Sequence, residues 1–440
     1  MSSLLIHGGR VIDPASGFDQ TADVLIANGR IAAMDTQPGK LTAGDAEQSV
    51  DAEGCIVAPG LIDIHVHLRE PDETAQHEET IASGGAAAIN GGFTTVCCMP
   101  NTRPPLDTPD LVKFVHDQAR AADQCRVFTV ACATEGRKGR KTAPIAELAD
   151  AGAVGFSDDG DVVDEAAIMA EVLRQCKAAD RCVMQHCQEM SLTRGATMNA
   201  GPVAVRLGQI GWPAVAEELI IERDVRLNRE IGCKYHAQHL SSGGSVEILR
   251  AAQKSGQPVT GEVSPHHLLL TDEACEQVGP MAKMNPPLRT QRDIQQLKEA
   301  VAEGIITVLG TDHAPHPLAS KRVDMAAASF GIVGLDCALP LYIEALIGDG
   351  VIDWPTMLAM MTINPARLVG LDQQGLGTLR VGGPADVTVV DPELQWNIEV
   401  SEFASNARNC PFQGWEVAGR AILVVVDGRL KLSRIEQRVR

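Results

Sequence analysis

Eight short apolar runs recur between residues 55 and 316, and longer stretches with helical spacing separate them. The runs are CIVAPGLIDIHVH (55–67), FTTVCCMPN (93–101), RVFTVACAT (126–134), AVGFSDDG (153–160), CVMQHC (182–187), KYHAQHLSS (234–242), PVTGEVSPHH (258–267) and ITVLGTDHAPH (306–316). Segments such as IAELADAG and SVEILRAAQKSG lie between them, apolar at helical intervals and closed by glycine. Eight such units predict a (β/α)8 TIM barrel over residues 56–375. A doubly wound open sheet is the alternative, but no GxGxxG follows the first run, which counts against a dinucleotide fold.

Nearly every run ends in side chains able to bind a ligand. His65, His67, Asn101, Asp159, His186, His236, His239, His266, His267, Asp312, His313 and His316 all fall at expected strand ends. Nine of the 12 histidines are in that set, and in a parallel barrel those ends converge on one face. Scattered core histidines would not sort in this way.

The two ends of the chain differ from the middle and resemble each other. VLIANGRIAAM (24–34) places Asn28-Gly29 between two apolar strands, a type I′ hairpin signal. AILVVVDGRLKL (421–432) repeats it at Asp427-Gly428, and ADVTVVD (385–391) adds a strand. The economical expectation is one small β-sandwich-like domain built from residues 1–55 and 376–440. A net charge of −19 disfavours nucleic acid or an anionic membrane as partner. No apolar run reaches membrane-spanning length, and the start lacks a secretory pattern, so a cytoplasmic protein is expected. The 12 cysteines include no CxxC pair and suit a reduced core.

In the first run, His65 and His67 are two apart, so on a strand they face the same way and can reach one metal ion. Alone, HxH does not separate a metal site from two hydrogen-bonded histidines. Imidazoles at His186 and His239, a bridging carboxylate from Asp158-Asp159, and a further carboxylate at Asp312 together suit a two-metal hydrolytic site. Residue chemistry does not choose between Asp158 and Asp159.

PGLIDIHVHLREP, GGFTTVCCMPNT, GFSDDG, HCQE, EVSPHHLLLTDE, KMNPPLR, GTDHAPH and NCPFQGWEVAGR together resemble the type I dihydroorotases of the amidohydrolase superfamily over almost the whole chain. HxH would indicate only the superfamily; HLREP with MPNT and MNPPLR is more specific. The resemblance implies one or two Zn2+ per chain, the first held by His65, His67 and Asp159, the second by His186 and His239, with Asp159 bridging. It implies that Asp312 is the catalytic acid/base and also approaches the first metal. Arg69, Asn101 and His316 would grip a substrate carboxylate, and Asn285 a pyrimidine-like ring. The implied activity interconverts N-carbamoyl-L-aspartate and L-dihydroorotate in de novo pyrimidine biosynthesis. Implied partners are that small molecule, further copies of the chain and, in some relatives, aspartate carbamoyltransferase.

The sequence departs from the family pattern at Asp72, where glycine is usual after HLREP, and at HCQE, HAQHLSSGGS and Ser329. Each departure bears on substrate more than on metal. Another cyclic amidase, such as a hydantoinase or allantoinase, is one alternative, although many of those bridge their metals with a modified lysine that the fourth run lacks. A non-catalytic scaffold for the transferase is the other; such homologues lose the ligands retained here. His266 and His267 are expected to be structural, and His7, His77 and His116 have no partner signal. EGRKGRK (135–141) reads as a solvated basic turn with a weaker docking alternative.

Overall fold

The computed structural model describes the chain except residues 1, 2, 38, 43, 45, 74–78 and 436–440, so His77 lies outside the described residues. Five strands open it: β1 (Leu4–Asp13), β2 (Phe18–Ala27), β3 (Arg30–Asp35), β4 (Gln48–Asp51) and β5 (Ile56–Pro59). Next come β6 (Leu61–Val66), β7 (Phe93–Cys98), β8 (Arg126–Cys132), β9 (Ala153–Ser157) and β10 (Cys182–Gln185). A two-stranded ribbon of β11 (Met198–Asn199) and β12 (Gly211–Trp212) precedes β13 (Tyr235–Ala237), β14 (Val259–Val263) and β15 (Val308–Leu309). The chain closes with β16 (Val387–Asn397), β17 (Glu416–Val426) and β18 (Arg429–Ser433).

β6 to β10 and β13 to β15 form one parallel sheet in chain order. A parallel bridge between Val66 and His313 returns the chain beyond β15 to β6 and brings the ring round on itself. This is the (β/α)8 barrel, each expected run supplying one strand of the barrel itself. β6, β7, β9 and β10 are buried at every position. A strand covered by helices outside and by barrel filling inside has no solvent face, so its sequence shows no alternation. The outer helices begin and end on ordinary signals. Ile81–Gly91 starts at a capping box between Thr80 and Ser83 and stops at Gly92 in the left-handed region, φ 99°. Gln291–Ala302 starts at a second box, Thr290 with Asp293.

The first run holds two strands rather than one. Ile56–Pro59 pairs with β16 in the second sheet, and the chain enters the barrel only after Gly60. A continuous apolar pattern hides this switch because both halves are buried. The second sheet runs β18-β17-β16-β5-β1-β2-β3, with β4 beside β1, so strands from both ends of the chain meet through β5.

Its two hairpins turn where the sequence places them. Asn28 and Gly29 have φ of 52° and 77°, Asp427 and Gly428 of 52° and 71°. The tips abut: a methyl group on residue 428 would stand 2.5 Å from the Gly29 Cα. Gly428→Ala is therefore expected to destabilise the protein by about 1–3 kcal/mol, from overpacking and an unfavourable φ. Denaturant unfolding checks this, and a midpoint equal to that of wild type would remove the idea that the contact is tight.

Candidate metal centre

His65 is on β6 and His67 follows its end; Asp159 lies just beyond β9, His186 directly after β10, His239 beyond β13 and Asp312 beyond β15. All six side chains are buried at the mouth formed by the strand C-termini. Asp159 is their centre. Its Oδ1 lies 3.5 Å from His65 Nε2, 3.6 Å from His186 Nδ1 and 3.7 Å from His239 Nε2, and its Oδ2 lies 3.4 Å from His67 Nε2. Asp312 Oδ1 stands 3.0 Å from His67 Nε2 and 3.5 Å from His65 Nε2.

Asp158, the other half of the pair, turns away. Its carboxylate accepts from the Ala133 and Thr134 amides, each at 3.0 Å, and from the Thr134 hydroxyl. Burial pushes its pKa up to about 6. The structure thus separates two carboxylates that residue chemistry left equivalent.

The outer nitrogens of three imidazoles meet fixed acceptors. His65 Nδ1 contacts Glu262 Oε1, His67 Nδ1 meets Asn101 Oδ1 at 2.8 Å, and His186 Nε2 meets Gln188 Oε1 at 2.9 Å. In the neutral imidazole each acceptor would hold a proton on the outer nitrogen and leave the inner lone pair for a metal; His186 Nδ1 also lies 2.8 Å from His239 Nε2. Glu262 also approaches His236 Nε2 at 3.1 Å and accepts the His239 amide at 3.2 Å. Sequence reasoning passed over Glu262, Gln188 and the Asn101–His67 contact. The signal available was an acid inside the buried run PVTGEV, where a lone charge needs partners.

Burial opposes every charge here, yet the partners outweigh it in most cases. His65 is held well above the ordinary imidazole value by Glu262, Asp312 and Asp159. Asp159 is held well below the usual carboxylate range by His65, His186 and His239, and Asp312 is lowered by His65 and His67. His67 goes the other way, because burial and nearby Arg69 prevail.

A cavity of about 250 Å³ opens onto this cluster, lined also by Arg69, Asn101, Met284, Asn285, His316, Phe330 and Gly331. All four residues expected to grip substrate therefore line it. Arg69 arrives by a route the strand pattern does not give. β6 ends at Val66, and Arg69 takes φ 58° rather than continuing the alternation. Its Nε donates to Pro315 O at 3.2 Å, its Nη2 lies 3.4 Å from His316 Nε2, and burial lowers its pKa to about 10. Glu70 accepts the Ile81 amide at 2.6 Å, capping the next helix. His239 and Asp312 also have positive φ, 32° and 45°; such positions cost of order 1–3 kcal/mol each and persist only where the surroundings impose them.

The remaining candidates stand behind this layer. His236 bonds Thr260 and Glu262; His266 and His267 share the Ser264 hydroxyl; His313 Nδ1 accepts the Gly334 and Leu335 amides. The basic turn is not wholly solvated: Arg137 folds in to pair with Asp161 at 2.8 Å, its side chain only 16% exposed.

Three overlapping sets, His65–His67–Asp159, Asp159–His186–His239 and His65–His239–Asp312, bring their ligand atoms within 4.8 Å of one another. The Asp159–imidazole separations of 3.4–3.7 Å exceed a good hydrogen bond. They match two ligands across one ion, since tetrahedral bonds of about 2.0–2.2 Å set ligand atoms roughly 3.4 Å apart. The donor set fits a divalent cation.

Such a cage at the C-terminal mouth of a parallel barrel defines a metal-dependent hydrolase. The amidohydrolase family model matches residues 56–431. The chain is 42% identical to a dihydroorotase from Geobacter sp. (strain M21) over 97% of its own length and 99% of that protein. It is 38% identical to a dihydroorotase from Syntrophus aciditrophicus over 97% and 98%. Among solved structures it resembles the L-hydantoinase (dihydropyrimidinase) from Arthrobacter aurescens, with TM-score 0.88, 26% identity and coverage of 99% and 97%. The dihydropyrimidinase from Brevibacillus agri shares the fold, with TM-score 0.84 at 23% identity. The chain belongs to the amidohydrolase family, and it is an enzyme of that family. Among the described residues no helix is long and apolar enough to cross a membrane.

Proposed function

We propose that this enzyme is a zinc-dependent dihydroorotase, interconverting N-carbamoyl-L-aspartate and L-dihydroorotate in pyrimidine biosynthesis. The observation that carries the reading is the buried Arg69 guanidinium beside His316, both lining the same small cavity as the cage. A guanidinium offers a carboxylate two parallel donors, and a carboxylated ring places its amide within reach of the cage. The dihydroorotases at about 40% identity support it.

His65, His67 and Asp159 would hold one zinc, and His186 and His239 the second, with Asp159 between. Zinc bound there would acidify a water and polarise a carbonyl. Asp312, kept ionised by His65 and His67, would take the proton of the water that adds to the ring amide carbon. It returns that proton to the ring nitrogen as the C–N bond breaks, and the reverse sequence closes the ring with loss of water. Asn285 Oδ1 is buried on the cavity wall without a hydrogen-bond partner among the described residues and suits a ring N–H, while its Nδ2 donates to Gln188 at 3.2 Å.

Hydantoinases share this fold, so substrate decides between the readings. Purified enzyme supplied with zinc is expected to open L-dihydroorotate in preference to hydantoin and allantoin. Failure to act on dihydroorotate in either direction would overturn the proposal. Assembly with further copies of the chain or with aspartate carbamoyltransferase belongs to the same reading, and co-elution tests it.

A further inference from the structure

One wall of the cavity is a strap of chain, residues 314–331, carrying Ala314, His316, Phe330 and Gly331. Its two ends are joined by a side chain distant in sequence. Asn409, on the connection between β16 and β17, is fully buried. Its Nδ2 donates to Ala314 O at 2.9 Å and to Gly331 O at 3.0 Å, and its Oδ1 accepts the His316 amide at 3.1 Å. Its backbone carbonyl accepts the Val333 amide at 3.0 Å. All these bonds therefore go to the strap and its immediate continuation.

The contacts extend to Arg69 and His316. Gly331, at φ 140°, lies so near His316 that a methyl group there would stand 2.7 Å from the imidazole Cδ2. Pro315, between two residues Asn409 holds, supplies the carbonyl that receives Arg69 Nε. We propose that Asn409 is a positioning residue for the substrate carboxylate, fixing the spacing of Arg69 and His316 by clamping the strap that carries one and orients the other. The inference rests on the dihydroorotase reading.

The middle of the strap has separate anchors. Lys283 Nζ donates to Met325 O at 2.6 Å and Ala328 O at 2.7 Å, and Lys321 Nζ to Lys283 O and Ser329 O, each at 2.9 Å. Loss of Asn409 should then loosen the grip without releasing the strap.

Asn409→Asp keeps the shape and the acceptor for His316 but sets a carboxylate against two carbonyl oxygens. For this variant the KM for dihydroorotate is expected to rise roughly tenfold or more, with kcat changed less than about threefold. Calorimetric affinity for orotate, an unreactive ring with the same carboxylate, should fall by the same factor, with metal content as in wild type. Asn409→Ser, smaller but still able to donate and accept, carries the same expectation at reduced size should Asn409→Asp fail to fold. Unchanged KM and orotate affinity in an active background, a loss confined to kcat, or a loss that tracks falling metal content would each overturn the inference alone. A wild type inactive on dihydroorotate would remove the underlying reading and the inference with it.

Discussion

Asp312→Asn is expected to lower kcat by roughly a thousandfold while the protein still binds metal. An amide of the same shape cannot take a proton, and a positioned acid/base contributes about 10²–10⁴ in rate. Metal retention follows from the geometry. Two of the three sets of converging ligands, His65–His67–Asp159 and Asp159–His186–His239, do not include Asp312. Turnover and metal content measured on one preparation separate the outcomes. A kcat within tenfold of wild type would exclude Asp312 as the proton carrier; loss of metal and activity together would make it chiefly a ligand.

Glu262→Gln should weaken metal binding by about 10–100-fold, although Glu262 lies behind the cage. This one carboxylate contacts His65 Nδ1, His236 Nε2 and the His239 amide. Burial opposes its ionisation, but His65 and His236 hold it well below the ordinary range, so it faces them as an anion. The amide would turn a donor towards one of two imidazole N–H groups and leave His65 free to rotate. Chelator competition reads the affinity directly. An affinity within about twofold of wild type would show that packing alone orients His65.

Glu262 also marks how far the sequence could be read. The barrel was legible because each buried strand is a short apolar run bounded by a helix. The convergence of the inner histidines and aspartates was legible because polar side chains at strand ends in a parallel barrel have only one face to share. Glu262, Gln188 and Asn409 were not. Glu262 and Asn409 work through hydrogen bonds to residues far along the chain, and Gln188 through a bond to His186 two residues away that depends on the loop after β10; periodicity carries no information about such pairs. The family resemblance singles out Asp159, but the physical reason Asp158 turns away is the Ala133 and Thr134 amides, which come from the end of a neighbouring strand. Arg69 reaches the cavity wall through a left-handed backbone conformation, φ 58°, which strand alternation from His65 and His67 does not foretell. The split at Gly60 was hidden because burial looks alike on either side of it.

β5 lies between β1 and β16 in the sheet order and so joins the first strand of the chain to the last three. During vectorial synthesis β5 emerges long before residue 387, and until then one of its edges has no neighbour. The polypeptide leaving the ribosome must therefore carry an open strand edge while the whole barrel is made. Truncations that remove β16 to β18 should leave that edge exposed permanently, and self-association through it, more than loss of the barrel, should be their first defect.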